Sequence, residues 1–104
     1  MGTNLRVSKN NTTIKSADGW TVVTLHGTDV VKFNDKEIIL NTGGWKTVTT
    51  KARMNQVSNQ FGLGYSVYQE DGTWYVCHGY DGNGQYKHND IEFTGNVFTF
   101  QRGA

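Results

Sequence analysis

From Asp18 onward apolar residues recur mostly at every second position, and glycine, asparagine or aspartate interrupts the pattern at short intervals. A period of two places alternate side chains on opposite faces of an extended strand, so most of this chain has to pair in sheets. Trp20, Val22, Val23 and Leu25 come first; Val30, Val31 and Phe33 follow, then Ile38, Ile39 and Leu40 after the turn Asn34-Asp35-Lys36. Their β-branched and aromatic content predicts strands near 20–26, 28–33 and 36–41. Tyr65, Val67 and Tyr68 lead through Glu70-Asp71-Gly72 to Trp74-Tyr75-Val76-Cys77, a hairpin signal. Ile91-Glu92-Phe93 and Val97-Phe98-Thr99-Phe100 flank Gly95-Asn96 and predict a second tight hairpin. Residues 78–90, rich in glycine, aspartate and asparagine, read as a long loop.

One segment breaks the period. Met54, Val57 and Phe61 fall at i, i+3 and i+7, the spacing of an apolar stripe on a helix. Thr49 or Thr50 offers a hydroxyl to the unpaired N–H groups of a first turn. Gly62 or Gly64 supplies the left-handed residue that ends such a helix. The expected architecture is therefore α+β: a twisted antiparallel sheet of about six to seven strands, with one helix near 50–61 packed on it.

The chain of 104 residues suits one domain. Residues 17–104 are assigned to it. Residues 1–16 are polar, and Arg6, Lys9 and Lys15 face no acid within them. They read as a mobile basic arm that adds at most one edge strand. No apolar run approaches the roughly 20 residues that cross a bilayer, and the first residues lack a signal-peptide core, so the expectation is a cytoplasmic protein with no membrane partner. A single cysteine, Cys77, excludes an internal disulfide framework and a multi-cysteine zinc site. The net charge of +1 excludes a globally basic nucleic-acid binder but not a local basic face.

The charge is segregated. Residues 38–69 carry Lys46, Lys51 and Arg53 and no acid, whereas 70–92 carry five acids against Lys87. At the expected start of the helix, Trp45, Lys46, Thr47, Thr49, Thr50, Lys51, Arg53 and Asn55 gather three cations, threonine hydroxyls and a stacking face. Together with the positive end of a helix dipole they form a candidate binding site for an anionic group or a base. The competing structural reading is a capped amphipathic helix after a glycine turn, with Trp45 in the core. The Gly-x-x-x-x-Gly-Lys order of a P-loop is absent. Tyr80 and Tyr86, in the expected loop, are candidate exposed contacts for a protein.

Two further constellations carry less. Counted from Asp81, oxygen donors stand at positions 1, 3, 5, 9 and 12 of a calcium loop, but Tyr86 occupies the place of the glycine at position 6. A solvated hairpin loop is the simpler reading. His26, His78, His88 and Cys77 include only one adjacent pair, Cys77-His78, whose side chains oppose each other on a strand. No metal or other cofactor is implied, and no acid–base pair or activated nucleophile is recognisable.

The stretch GGWKTVTTKARMN at 43–55, followed by FGLGYSVYQEDGTWYV at 61–76, resembles a family of very small phage-encoded proteins. The similarity covers about residues 28–77. It implies an accessory role during infection, in the bacterial cytoplasm, and it assigns no activity to any residue. The reading that follows is a non-catalytic phage accessory protein that binds a host or phage macromolecule, with a protein as the partner. The alternative is nucleic-acid binding through the Trp45–Arg53 segment and the arm. An exposed sheet edge would also permit a homodimer.

Overall fold

The computed structural model describes residues 11–102. They form β1 (Thr12–Ala17), β2 (Trp20–Leu25), β3 (Thr28–Phe33), β4 (Glu37–Asn41), α1 (Val48–Phe61), β5 (Tyr65–Glu70), β6 (Thr73–Tyr80), β7 (Tyr86–Glu92) and β8 (Val97–Gln101). The fold is α+β, and its strands form two antiparallel sheets where one was expected. The first has the order β1-β2-β3-β4-β8 and the second β5-β6-β7.

The early strands follow the sequence pattern because each is joined to the next by a short turn. His26-Gly27 and Asp71-Gly72 both have positive φ at the two central positions, 49° and 81° in the first and 52° and 80° in the second. That is the type I′ conformation, whose twist matches the strands it connects. Asn34 shapes the β3–β4 turn differently, its Oδ1 accepting from Lys36 N at 2.8 Å and Glu37 N at 2.9 Å. Across the end of the expected arm, Thr12–Ala17 forms an edge strand paired with β2, Ile14 opposite Val23. Residues 1–10 of the arm, with Arg6 and Lys9, lie outside the described residues.

Two expectations are overturned. Residues 78–90 are not a long loop: β6 runs to Tyr80, β7 starts at Tyr86, and only the turn between them remains. His78 pairs with His88 and Tyr80 with Tyr86 across the two strands. Cross-strand contact between these rings supplies the pairing that the polar composition did not suggest. Nor do 91–93 and 97–100 form a hairpin. β7 pairs with β6, whereas β8 crosses to the other sheet and pairs with β4, Phe100 opposite Ile38. There Phe100 reaches the core, only 7% exposed.

The helix joins the sheets. Met54 and Val57 of α1 share one core with Val23, Leu25, Val31, Ile38 and Leu40 of the larger sheet and Tyr65, Val67, Trp74 and Val76 of the smaller. Polar side chains one helical turn apart also seal the free edge of β5. Asn55 donates from Nδ2 to Val67 O at 2.9 Å and accepts from Val67 N at 2.8 Å. Ser58 Oγ donates to Tyr65 O at 2.7 Å and accepts from Tyr65 N at 3.0 Å. An edge strand satisfied in this way is closed to pairing with another chain.

Candidate functional site

The helix starts at Val48, two residues earlier than the periodicity indicated. Its N-cap is Thr47, in place of the expected Thr49 or Thr50. Thr47 has extended backbone angles, and its hydroxyl accepts from Thr50 N at 3.1 Å. The preceding turn sets this register. Thr42, buried, receives Trp45 N on its carbonyl at 2.9 Å and donates its hydroxyl to Asn96 Oδ1 at 2.8 Å. Gly43 has φ 62°, and a Cβ there would lie 2.6 Å from Thr28 Cγ2, so the turn is wedged against the start of β3. A residue other than glycine would be strained by both the angle and the contact.

That turn holds Trp45 outside the core. Trp45 is 68% exposed and Val48 75% exposed, whereas Trp74 is 1% exposed. The competing reading that placed Trp45 in the core is therefore corrected. Beside these two side chains lies a groove of about 470 Å³, floored by Leu25 and Val30 and walled by Thr28, Thr42, Thr47, Thr49, Thr50, His26 and Trp45. The helix N-terminus opens into it, with no acidic residue in the first turn. Among the described residues that line it, His26 is the one titratable side chain. The groove thus offers apolar contact, hydroxyls and the positive end of a helix dipole, and among the described residues that line it no pair of groups for acid–base chemistry.

The three cations do not converge here as expected. Lys46 Nζ donates to Phe93 O at 3.1 Å. Lys51 Nζ donates to Gln69 Oε1 at 3.4 Å and stands 5.9 Å from the Trp74 ring centre. Arg53, 8% exposed, donates from Nε to Thr12 Oγ1 at 3.0 Å and from Nη1 to Gln56 Oε1 at 3.4 Å. Residues 51 and 53 lie roughly 200° apart around a helix, so adjacency in sequence disperses them in space. Asn55 is taken up by β5, and Thr50, though it lines the groove, is buried. Trp45, Thr47 and Thr49 are the candidates left facing the groove from the exposed side. Val48 was missed by the sequence reading; its place outside the i, i+3, i+7 stripe was the available signal.

Tyr80 and Tyr86 sit at the other end of the helix. Their ring centres are 5.0 Å apart, Tyr80 is 46% exposed and Tyr86 half-buried. Burial raises the Tyr86 pKa, with the Ser66 side chain opposing that shift. A second groove of about 620 Å³ lies between these rings and the helix C-terminus.

The expected calcium-loop pattern is dispersed by the fold. Asp81 Oδ1 accepts from Asn83 N at 2.7 Å and Gln85 N at 3.2 Å, closing a short turn, while Asn89 and Glu92 lie along β7. Among the described residues no three His, Cys, Asp or Glu side chains are grouped to hold a metal ion. Cys77 and His78 face opposite sides of β6. Asp90 N donates to Cys77 Sγ at 3.4 Å, and Tyr68 donates its hydroxyl to Asp90 Oδ1. That bond to the carboxylate is the first cause of a strongly raised Tyr68 pKa. His78 instead stacks between His88, at 4.5 Å, and Phe100, at 4.4 Å. It is buried with Nδ1 unpartnered, and desolvation followed by the neighbouring His88 lowers its pKa.

Comparison with known proteins matches residues 1–99 to the family described as Kyanoviridae Gp96 protein. The match extends well beyond residues 28–77, over the N-terminal segment and most of the last two strands. No curated protein and no solved structure matches the chain. Among the described residues no helix is long and apolar enough to cross a membrane.

Proposed function

Because the chain belongs to the Kyanoviridae Gp96 protein family, a family of phage proteins, we propose that it is a non-catalytic binding protein acting in the infected host cytoplasm. Its partner is a host or phage protein, engaged through Trp45, Val48 and the adjoining groove. The observation that carries this reading is the exposure of Trp45, on a turn fixed by Thr42, Asn96 and Gly43, and of Val48 at the helix start beside it. A large ring held outside the core on a rigid support loses little conformational freedom on binding, which is how aromatic anchors dominate protein interfaces. The groove supplies apolar floor and hydroxyl walls for whatever flanks the ring on the partner. Nucleic-acid binding gains less support, since Lys46, Lys51 and Arg53 already serve partners within the fold.

The test compares the wild-type protein with Trp45→Ser/Val48→Ser as bait in lysate of infected cells. A protein retained by the wild type should be lost from the double variant, whose thermal midpoint stays unchanged. For the purified pair, the single change Trp45→Ala is expected to weaken binding about thirtyfold or more. Equal capture by both baits would overturn the assignment of the surface. Salt-sensitive binding of DNA or RNA by the wild type, without a specific protein partner, would replace the reading with the nucleic-acid one.

A further inference from the structure

The second groove lies at the opposite end of α1 from Trp45 and has a different chemistry. About 620 Å³ in volume, it is bounded by Asn59 and Gly62 at the helix end and by Tyr80, Asp81 and Tyr86 across from them. The helix ends on Gly62 in the left-handed conformation, with no basic residue in its last turn. The negative end of its dipole is therefore not offset by a cation on the helix itself. Among the described residues no lysine or arginine lines the groove, and Asp81 adds a carboxylate. Asp81 Oδ1 is bonded to Asn83 N and Gln85 N, which fixes the carboxylate against the turn. Tyr80 is held as well: its hydroxyl accepts from Gly84 N at 3.1 Å, and its own N–H donates to Gly64 O at 3.1 Å.

Two aromatic rings 5.0 Å apart, inclined at 47°, thus stand beside a fixed carboxylate and the carbonyl end of a helix. All three features attract positive charge, and ring faces favour a planar guanidinium over a compact ammonium. Lys87 and Arg102 line the adjoining cleft, which shares Gly62, Gly64 and Tyr80 with this groove, and Arg102 is already taken up there. Its Nη1 donates to Asn34 O at 2.9 Å, and its guanidinium lies 5.6 Å from the Phe33 ring centre.

We propose that this groove is a receptor for an arginine side chain of a partner polypeptide, packed against the outer faces of the Tyr80 and Tyr86 rings beside Asp81. The site goes beyond the Trp45 surface and does not depend on it.

The test follows backbone amide shifts of the full-length chain during titration with the tripeptide Gly-Arg-Gly. The same peptide with citrulline, neutral and nearly isosteric, is the first control, and Gly-Glu-Gly the second. The expected result is saturable binding in the millimolar range, with shifts confined to residues 58–65 and 80–86 and absent with both controls. Asp81→Asn keeps the oxygen that closes the turn and removes the charge; Tyr80→Leu removes a ring. Each is expected to weaken the arginine peptide about threefold or more, while Tyr80→Phe retains binding. Trp45→Ser should leave the titration unchanged, so failure here is distinguishable from failure of the Trp45 surface. Equal shifts with citrulline, shifts located elsewhere, or no saturable response would overturn the proposal.

Discussion

Replacing Thr47 by alanine tests the structural element from which the Trp45 groove is built. In the folded chain the Thr47 hydroxyl accepts from Thr50 N at 3.1 Å and contacts the Thr50 hydroxyl at 3.1 Å. Alanine leaves the Thr50 amide without that acceptor at a position that is only 4% exposed, where water is a poor substitute. Loss of a threonine N-cap costs about 1 kcal/mol, within a range of roughly 0.5–2. For a domain of this size that is a fall of about 4–8 °C in thermal midpoint. Urea unfolding followed by tryptophan fluorescence reads the change, with Trp74 as a buried reporter at 1% exposure. The denaturation midpoint should drop while the slope with urea stays constant, the signature of a stability change alone. Thr49→Ala provides the contrast. Thr49 is exposed inside the first turn, where alanine is the better helix former, so the expected change is zero or a few tenths of a kcal/mol in favour of folding. Thr47→Asp should retain the cap and add about 0.3–1 kcal/mol at a helix start that has no acid in its first turn. Equal losses from Thr47→Ala and Thr49→Ala, or no loss from Thr47→Ala, would refute the assigned cap and the groove geometry that follows from it.

Gly43→Ala should lower stability by more than about 1 kcal/mol in the same assay, because φ is 62° and the new methyl meets Thr28 at 2.6 Å; Thr28→Ser in that background should recover part of the loss. Asn55→Ala removes both hydrogen bonds to Val67 and is expected to cost about 2–3 kcal/mol, with faster amide exchange at Val67. For His78, burial and His88 set the folded pKa below 6.5, so between that lowered value and 6.5 the unfolded chain binds more protons. Stability therefore falls as pH drops through this window. The loss in thermal midpoint between pH 7.5 and pH 5 should be smaller in His78→Phe than in the wild type, and equal losses would show that His78 is not the group responsible.

Local chemistry made much of the fold legible. The two-residue period places β2, β3 and β4 within one residue of their observed limits, and the stripe Met54, Val57, Phe61 together with Gly62 fixes the end of α1. These are decisions taken among residues a few positions apart. The start of the helix was harder because Thr47, Thr49 and Thr50 are all capable caps. The choice depended on a turn anchored to Asn96, 54 residues away from Thr42. The exposed site suffered for the same reason. Trp45 and Trp74 are the same residue type, and nothing within a short window says that the first is held outside by a turn and the second enclosed by both sheets. Lys46, Lys51 and Arg53 looked like one basic patch in sequence; Lys46 lies before the helix and helical rotation separates Lys51 from Arg53, so the three reach different partners.

The sequence by itself determined that the chain is a set of short strands with one helix, because backbone period, turn chemistry and capping act over a few bonds. Only the tertiary structure decided which strands share a sheet. β8 follows β7 after a turn rich in hairpin signals, yet it pairs with β4, where Phe100 packs against Tyr65 and His78 of the other sheet. A strand can satisfy its backbone with any free edge; the edge it takes is the one that removes the most apolar surface from water across the whole domain.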